Sequence, residues 1–139
     1  MTQEEKEILL KDLCTRLPYG VKFALGANTY TAKGIDLIVT DEGNWEYAIT
    51  TKHSKPIEIK YVKPFLRPMS SMTVEEKKEF ETLGWRIDEL DNNTPWIHNS
   101  YNVFDGVDWL NKKMFDYCGL IPMSLALESP EGMYNIKSK

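Results

Sequence analysis

The hydrophobic spacing changes between residue 17 and residue 21, and this change predicts a helix followed by a sheet. Apolar residues recur at helical spacing before that point, and Thr2 with Glu5 forms a capping-box pattern at the start. From Val21 onward apolar and polar residues alternate in four or five short segments. The pattern predicts a helix over residues 2–17 and then an antiparallel β-meander, either curled into a small SH3-like, partly closed barrel or lying with a helix on one face.

A hydrophobic core between this helix and the meander is predicted by the apolar residues of both. Residues 41–44 (DEGN) carry the signal of a hairpin turn between two alternating segments. The helix contributes one apolar face and the strands on either side of the turn contribute the other. The residues predicted for this core are Leu9, Leu13, Leu17, Ile35, Leu37 and Ile49.

The segment from residue 57 to residue 73 predicts the end of the sheet and the start of helices. Its alternating pattern runs into Pro64 and Pro68, which we expect to stop the strand. Thr73 and Glu76 then form a second capping-box pattern, which predicts a helix over residues 74–83. A third helix is predicted from a cap at Asp105 to Gly119, while residues 84–102 and 121–127 fit strand, helix or loop.

These elements predict an α+β fold, with an N-terminal helix, a meander or SH3-like barrel, and C-terminal helices. The 139 residues fit one domain, in which residues 1–72 form the helix and meander and residues 73–139 a mainly helical part packed on them. The polar, acidic N-terminus and the absence of an apolar run of about 18 residues argue against a signal peptide and a membrane span. We therefore expect a cytoplasmic protein without a membrane partner.

Metal and cofactor sites are not indicated by the sequence. Cys14 and Cys118 lack the close spacing of a zinc or redox motif, so we expect both to be small buried hydrophobes. An acidic cluster of Asp88, Glu89 and Asp91 has Asn93 and His98 nearby, but no glycine provides the sharp turn of a calcium loop. We interpret that cluster as a solvated surface and expect no metal and no cofactor.

Four stretches carry a resemblance to known proteins: residues 11–21 (KDLCTRLPYGV), 62–73 (VKPFLRPMSSMT), 115–121 (FDYCGLI) and 125–134 (LALESPEGMY). They resemble a family of short uncharacterised proteins from gut Bacteroides-type bacteria, their phages and mobile elements. The resemblance implies an intracellular bacterial or phage setting. It implies no activity and no functional residue, so it narrows the origin of the chain and not its function.

A basic stretch is the first candidate binding site. Aromatic residues interleave its cations, an arrangement that can hold phosphates and stack a base. However, the net charge is −4 and the pI about 5.2, whereas nucleic-acid-binding domains are usually basic. Lysines that protect an edge strand from aggregation are therefore the favoured interpretation. The residues of the basic stretch are Lys52, Lys55, Lys60, Tyr61, Lys63 and Arg67.

A second candidate site follows the loop that ends at Pro95. Trp96, His98 and Tyr101 place large side chains between polar ones, as is typical of partner surfaces, although Trp96 could equally fill the core beneath its loop. No nucleophile elbow or phosphate-binding glycine loop is present to indicate catalysis.

Three functions are compatible with these sequence features, in order of preference. The first is a non-catalytic protein-interaction module that binds a protein partner or itself. The second is a nucleic-acid-associated accessory protein that uses the basic stretch. The third is an enzyme with an unrecognised site near His98. The sequence leaves the partner and the oligomeric state open.

Overall fold

The computed structural model describes residues 1–52, 55–83, 85–87, 95–97 and 103–134 of the chain. These residues form an α+β fold of helices and antiparallel strands, so the predicted fold class is confirmed. The chain divides into two compact units. The first unit is Met1–Phe65 with Leu125–Leu127, and the second unit is Leu66–Ser124 with the described part of Glu128–Lys139.

Helix α1 (Gln3–Arg16) opens the first unit with the capping box that the sequence predicts. The Thr2 hydroxyl accepts a hydrogen bond from the Glu5 N–H at 3.0 Å, and the Glu5 carboxylate accepts one from the Thr2 N–H at 2.8 Å. These bonds satisfy donors that the start of a helix otherwise leaves free. A 3-10 turn, Leu17–Tyr19, follows the helix, and Gly20 takes the left-handed φ of 77° that ends it.

The buried face of α1 is narrower than its apolar pattern suggests. Leu9 and Leu13 are buried, and Asp12 and Arg16 form a buried ion pair with Nε 2.8 Å from Oδ2. Cys14 is exposed, so its predicted burial is wrong. Because successive helical residues point about 100° apart, a face centred on Leu9 and Leu13 turns Cys14 toward solvent.

Seven of the described strands lie in two antiparallel sheets. Their bounds are β1 (Lys22–Leu25), β2 (Asn28–Thr31), β3 (Gly34–Val39), β4 (Trp45–Thr50), β5 (Ile57–Glu58), β6 (Lys63–Leu66) and β9 (Leu127–Glu128). One sheet has the order β2-β1-β6-β9 and the other has the order β3-β4-β5. Only Ala32 and Lys33 separate β2 from β3, and their N–H groups bond to the carbonyls of Val21 and Thr50. This short connection leads from one sheet to the other, and over the described residues the two sheets do not close into the barrel considered for them.

Strand β6 runs through Pro64, where we expected the strand to stop. Strand β5 ends at a 3-10 turn, Ile59–Tyr61, and the chain then pairs with β1, placing Pro64 opposite Phe23. Proline removes one backbone donor, but its fixed φ is compatible with extended backbone. Pro64 is the second residue of β6, so the strand lacks one backbone donor near its start.

Leu37 is the exception to the predicted core, because its side chain is 49% exposed. It lies on the part of β3 near the turn, while Ile35, nearer the other end, pairs with buried Ile49. Burial in this hairpin therefore decreases toward the turn. The remaining predicted core residues are buried or half-buried: Leu9, Leu13, Leu17, Ile35 and Ile49.

Helix α2 (Val74–Glu81) follows its predicted capping box in the second unit, and α3 (Val103–Lys112) comes later in the chain. Asp105 lies within α3, so the helix begins before it and Asp105 is not the predicted cap. The helix also stops before Gly119, because Met114 has a left-handed φ of 63° that an α-helix excludes. Between the helices, β7 (Trp85–Ile87) and β8 (Pro95–Ile97) pair antiparallel.

The core of the second unit lies between α2, α3 and the loop after α3. Residues 121–126 of that loop form turns and bends and Leu127 begins β9, so of the alternatives left open for residues 121–127 the segment is mainly loop. Cys118 in this loop is exposed, which again corrects its predicted burial. The buried cluster is Met69, Phe80, Leu110 and Phe115, flanked by Met72, Leu83, Val107, Trp109 and Tyr117.

Candidate functional site

The β3–β4 hairpin of the first unit carries an exposed apolar surface. Strands β3 and β4 pair so that Leu37 lies opposite Tyr47 and Val39 lies opposite Trp45. Directly paired residues in an antiparallel ladder point to the same side, and so do residues two apart. The four side chains therefore form one continuous surface, which we call the hairpin face.

The tight turn at the end of the hairpin fixes the register that aligns these residues. The Thr40 N–H donates to the Asn44 carbonyl at 2.8 Å, and the Gly43 N–H donates to the Thr40 carbonyl at 2.8 Å. Gly43 has φ of 85°, a conformation that glycine adopts without steric cost. A shift of one residue would move every side chain to the opposite side of the sheet, so this turn determines which residues make up the hairpin face.

All four residues of the hairpin face are large, apolar and exposed. Leu37 is 49%, Val39 54%, Trp45 68% and Tyr47 46% exposed. Single exposed hydrophobic residues are ordinary, but contiguous apolar patches on protein surfaces mark interaction sites. Trp and Tyr in particular are enriched where proteins bind one another.

The opposite side of the hairpin is anchored within the first unit. Lys6 of α1 reaches Glu46 of β4, with Nζ 2.6 Å from Oε2. The hydrogen bond from Lys6 lowers the pKa of Glu46, so the carboxylate stays ionised in this pair. Ala48, two residues further along the same side, is buried. This anchoring holds the hairpin in place, while the hairpin face on its other side is exposed near the turn.

A groove of about 1000 Å³ is the second candidate site, and all of its lining residues belong to the second unit. One wall comes from residues 67–79 and Lys113, and the other comes from residues 128–134. The second wall is held by the Ser129 N–H, which donates to the Leu66 carbonyl at 2.8 Å. The charged lining residues are Arg67, Lys113, Glu75, Glu76, Glu79, Glu128 and Glu131.

Arg67 in this groove is held by Glu76 and by an aromatic ring. Its two terminal nitrogens bond to the two Glu76 oxygens at 2.9 and 2.8 Å, and its guanidinium lies 4.1 Å from the centre of the Phe115 ring. Burial alone would raise the pKa of Glu76, but the bonds from Arg67 and from the Thr73 N–H outweigh it and lower the pKa. The guanidinium is therefore already neutralised within the groove.

Lys113 is the other basic lining residue, and it also faces a carboxylate. Its Nζ lies 3.9 Å from Glu79 Oε1, and the same oxygen accepts a hydrogen bond from Trp109 Nε1 at 2.9 Å. With both cations paired, the carboxylates in excess give the groove a negative lining. Such a lining attracts cations and repels phosphate groups. No group of three or more His, Cys, Asp or Glu side chains within the described residues is arranged to hold a metal ion.

The predicted basic stretch is divided by the structure. Arg67 belongs to the second unit and is bound to Glu76. It therefore does not form an exposed basic surface with the lysines of the stretch. The Nζ atom of Lys60 lies 3.8 Å from Glu58 Oε1 and 5.2 Å from the centre of the Tyr61 ring. The residues of the stretch that remain exposed in the first unit are Lys52, Lys55, Lys60, Tyr61 and Lys63.

The second predicted site lies largely outside the described residues. Trp96 belongs to β8 by its backbone, opposite Arg86, while His98 and Tyr101 fall outside the described part of the chain, as does the acidic cluster of residues 88–91. The proposed role of these residues therefore stays a prediction.

The hairpin face itself was missed because its residues were assigned to the core or to a strand. One signal in the sequence could have indicated it. Strand β3 carries apolar residues on both sides, since Ile38 points opposite to Leu37 and Val39, whereas a sheet covered on one side needs only one apolar side.

Comparison with known proteins found no matching family model, no matching curated protein and no matching solved structure. Among the described residues, no helix has both the length and the apolar character needed to cross a lipid bilayer.

Proposed function

We propose that this protein is a non-catalytic protein-interaction module, acting in the cytoplasm of a bacterium as part of a phage or mobile-element system. The observation that supports this function is the hairpin face, in which four large apolar side chains are exposed together on a well-anchored hairpin. Rigid aromatic side chains provide contact area at a small entropic cost, because each has only two rotatable side-chain bonds. The bacterial and phage setting is supported by the sequence resemblance alone.

Nucleic-acid association through the basic stretch is the alternative. The exposure of Lys52, Lys55, Lys60 and Lys63 favours it, while the pairing of Arg67 with Glu76 and the acidic pI of about 5.2 count against it. An enzyme with a site near His98 stays a third hypothesis, and a partner surface at Trp96, His98 and Tyr101 stays a prediction.

Affinity purification of the tagged chain from a bacterial host tests the proposed function. Samples with and without nuclease separate a protein partner from nucleic acid. The variant Trp45→Ser removes the largest exposed side chain of the hairpin face, and Val74→Ser, at a 69% exposed position of α2, is the matched control. We expect a nuclease-resistant association that Trp45→Ser weakens and Val74→Ser leaves intact. Association that both variants retain fully would show that the hairpin face is not the binding surface.

A further inference from the structure

We infer that the hairpin face is a dimer interface, which packs face to face and antiparallel against the hairpin face of a second copy of this chain. The inference rests on the proposed function and names the partner. Three observations support it: the exposed area of the face, the side-chain hydrogen bond that blocks the β3 edge, and the charges at the two ends of the hairpin.

The area of the hairpin face is sufficient for a reversible dimer. Given the exposed fractions of its four residues, and about 200 Å² for a large side chain, the face presents on the order of 400 Å². Two copies would bury about 800 Å² from these side chains alone, and flanking residues bring the total near the roughly 1,000 Å² at which specific interfaces begin. An interface of this size fits a dimer that forms at micromolar concentration.

Face-to-face packing uses this surface better than pairing of two β3 edges. Within the described residues β3 is an edge strand, and the Leu37 N–H bonds to Asp36 Oδ1 at 2.9 Å. This side-chain bond occupies a donor that an added strand would need, as edge-protecting devices do. Edge pairing would also leave Trp45 and Tyr47 exposed, because they lie on the neighbouring strand β4. Two stacked sheets about 10 Å apart would cover all four side chains.

The charges at the ends of the hairpin specify the second copy and its orientation. The turn end carries Asp41 and Glu42, and the opposite end carries Lys33 and Lys52; all four side chains are exposed. The six residues of β3 separate these ends by about 20 Å. In an antiparallel pair, the acidic end of each copy lies over the basic end of the other. A parallel pair would place like charges together.

This arrangement is self-complementary, as a two-fold interface requires. Each copy contributes the same apolar face and the same two charged ends, so both sets of contacts form at once. Opposite charges at the rim of an interface mainly determine orientation and specificity, while the apolar centre supplies the affinity. Trp45, the most exposed residue of the face, provides the largest anchor.

Sedimentation equilibrium of the purified full chain, over a wide range of protein concentration, tests whether a dimer forms. A reductant is required, because Cys14 and Cys118 are both exposed and outside any disulfide. We expect a monomer–dimer equilibrium that Trp45→Ser weakens at least about tenfold, while Val74→Ser leaves it unchanged. Circular dichroism melts of both variants check that the fold is retained, and Leu37→Ser provides a second variant of the face.

Charge reversal tests the antiparallel orientation independently. Lys33→Glu with Lys52→Glu makes both ends acidic, and Asp41→Lys with Glu42→Lys makes both ends basic. Each double variant alone is expected to dimerise less than the wild type. A mixture of the two is expected to form heterodimers, because every end then faces an opposite charge.

The outcomes separate this inference from the proposed function. A chain that stays monomeric at all concentrations, yet binds another protein through the hairpin face, overturns the inference and leaves the function intact. The inference is also overturned by a dimer that Trp45→Ser and Leu37→Ser leave unaffected. The same holds if a mixture of the two charge-reversal variants dimerises no more than either variant alone. If the chain neither self-associates nor binds any protein through this face, the proposed function fails as well.

Discussion

Arg67 and Glu76 form a two-pronged ion pair at the start of the second unit, with N–O distances of 2.9 and 2.8 Å. Glu76 also accepts the Thr73 N–H at 3.0 Å, so one carboxylate both caps α2 and binds the arginine. Phe115 lies beneath the guanidinium. The Glu76 side chain thus takes part both in the capping box of α2 and in the ion pair with Arg67, a residue that precedes the helix.

Removing this arginine is expected to destabilise the protein. In Arg67→Ala the Glu76 carboxylate, only 11% exposed, loses its charged partner, which should lower the free energy of unfolding by about 2–3 kcal/mol. Arg67→Lys keeps the charge but not the two-pronged geometry, so its loss should be intermediate. Urea denaturation measures both, with Lys63→Ala at an exposed position as the control. Equal stability of Arg67→Ala and the control would show that the ion pair between Arg67 and Glu76 does not stabilise the fold.

The same carboxyl should make stability depend on acidity. The pKa of Glu76 is below its ordinary value of 4.5 in the folded chain, so its contribution is fully present above that value and is lost as the pH falls through the lowered pKa. We expect the unfolding midpoint of the wild type to fall more steeply than that of Glu76→Gln as the pH falls below 4.5. Parallel curves for the two proteins would rule out this role.

Adjacent residues of α1 test where its buried face lies. Leu13 is fully buried, and Leu13→Ala should cost about 2–5 kcal/mol through lost apolar contacts and the cavity left behind. Cys14 is exposed, so Cys14→Ala should change stability by less than about 0.5 kcal/mol. Thermal melts of the two variants compare them directly. A melting temperature unchanged by Leu13→Ala would show that this face of α1 is not buried.

Asp116 is expected to hold the loop after α3 in its conformation. Its two carboxylate oxygens accept the N–H groups of Leu120 and Ile121 at 2.8 and 2.9 Å, and its side chain is buried. Asp116→Ala leaves both donors without this acceptor, which should cost about 2–3 kcal/mol and expose the loop to proteases. Glu131→Ala, at an exposed position, is the control for limited proteolysis and denaturation. Equal cleavage rates would show that the loop does not depend on Asp116.

Nucleic acid is expected to bind only weakly. The pI is about 5.2, and Arg67 is already bound to Glu76, so the remaining lysines should hold single- or double-stranded nucleic acid no tighter than about 10⁻⁴–10⁻⁶ M at physiological salt. Fluorescence anisotropy over a series of salt concentrations measures this affinity. A tight, salt-sensitive complex that Lys60→Glu and Lys63→Glu weaken would instead establish the nucleic-acid alternative.

The two helix starts were predictable because their signals are local. Thr2 with Glu5, and Thr73 with Glu76, lie three residues apart, and each pair satisfies its own helix end without help from the rest of the chain. The end of α3 was not predictable in the same way. Its apolar pattern continues toward Phe115, but Met114 takes a left-handed conformation where the chain leaves the helix to pair Phe115 with Arg67, far earlier in the sequence.

The fold and the candidate sites likewise depend partly on local signals in the sequence and partly on contacts between distant residues. By itself the sequence determined the α+β class, the capped helix starts and the hairpin turn, because each depends on neighbouring residues. Only the tertiary structure decided that Leu37 is exposed, that Pro64 lies in a strand and that Arg67 is taken by Glu76. Alternation places side chains on two sides of a strand, but how far along the strand each side is covered depends on what packs against it. Residues distant in the chain supply that packing, so the pattern along one strand does not contain it.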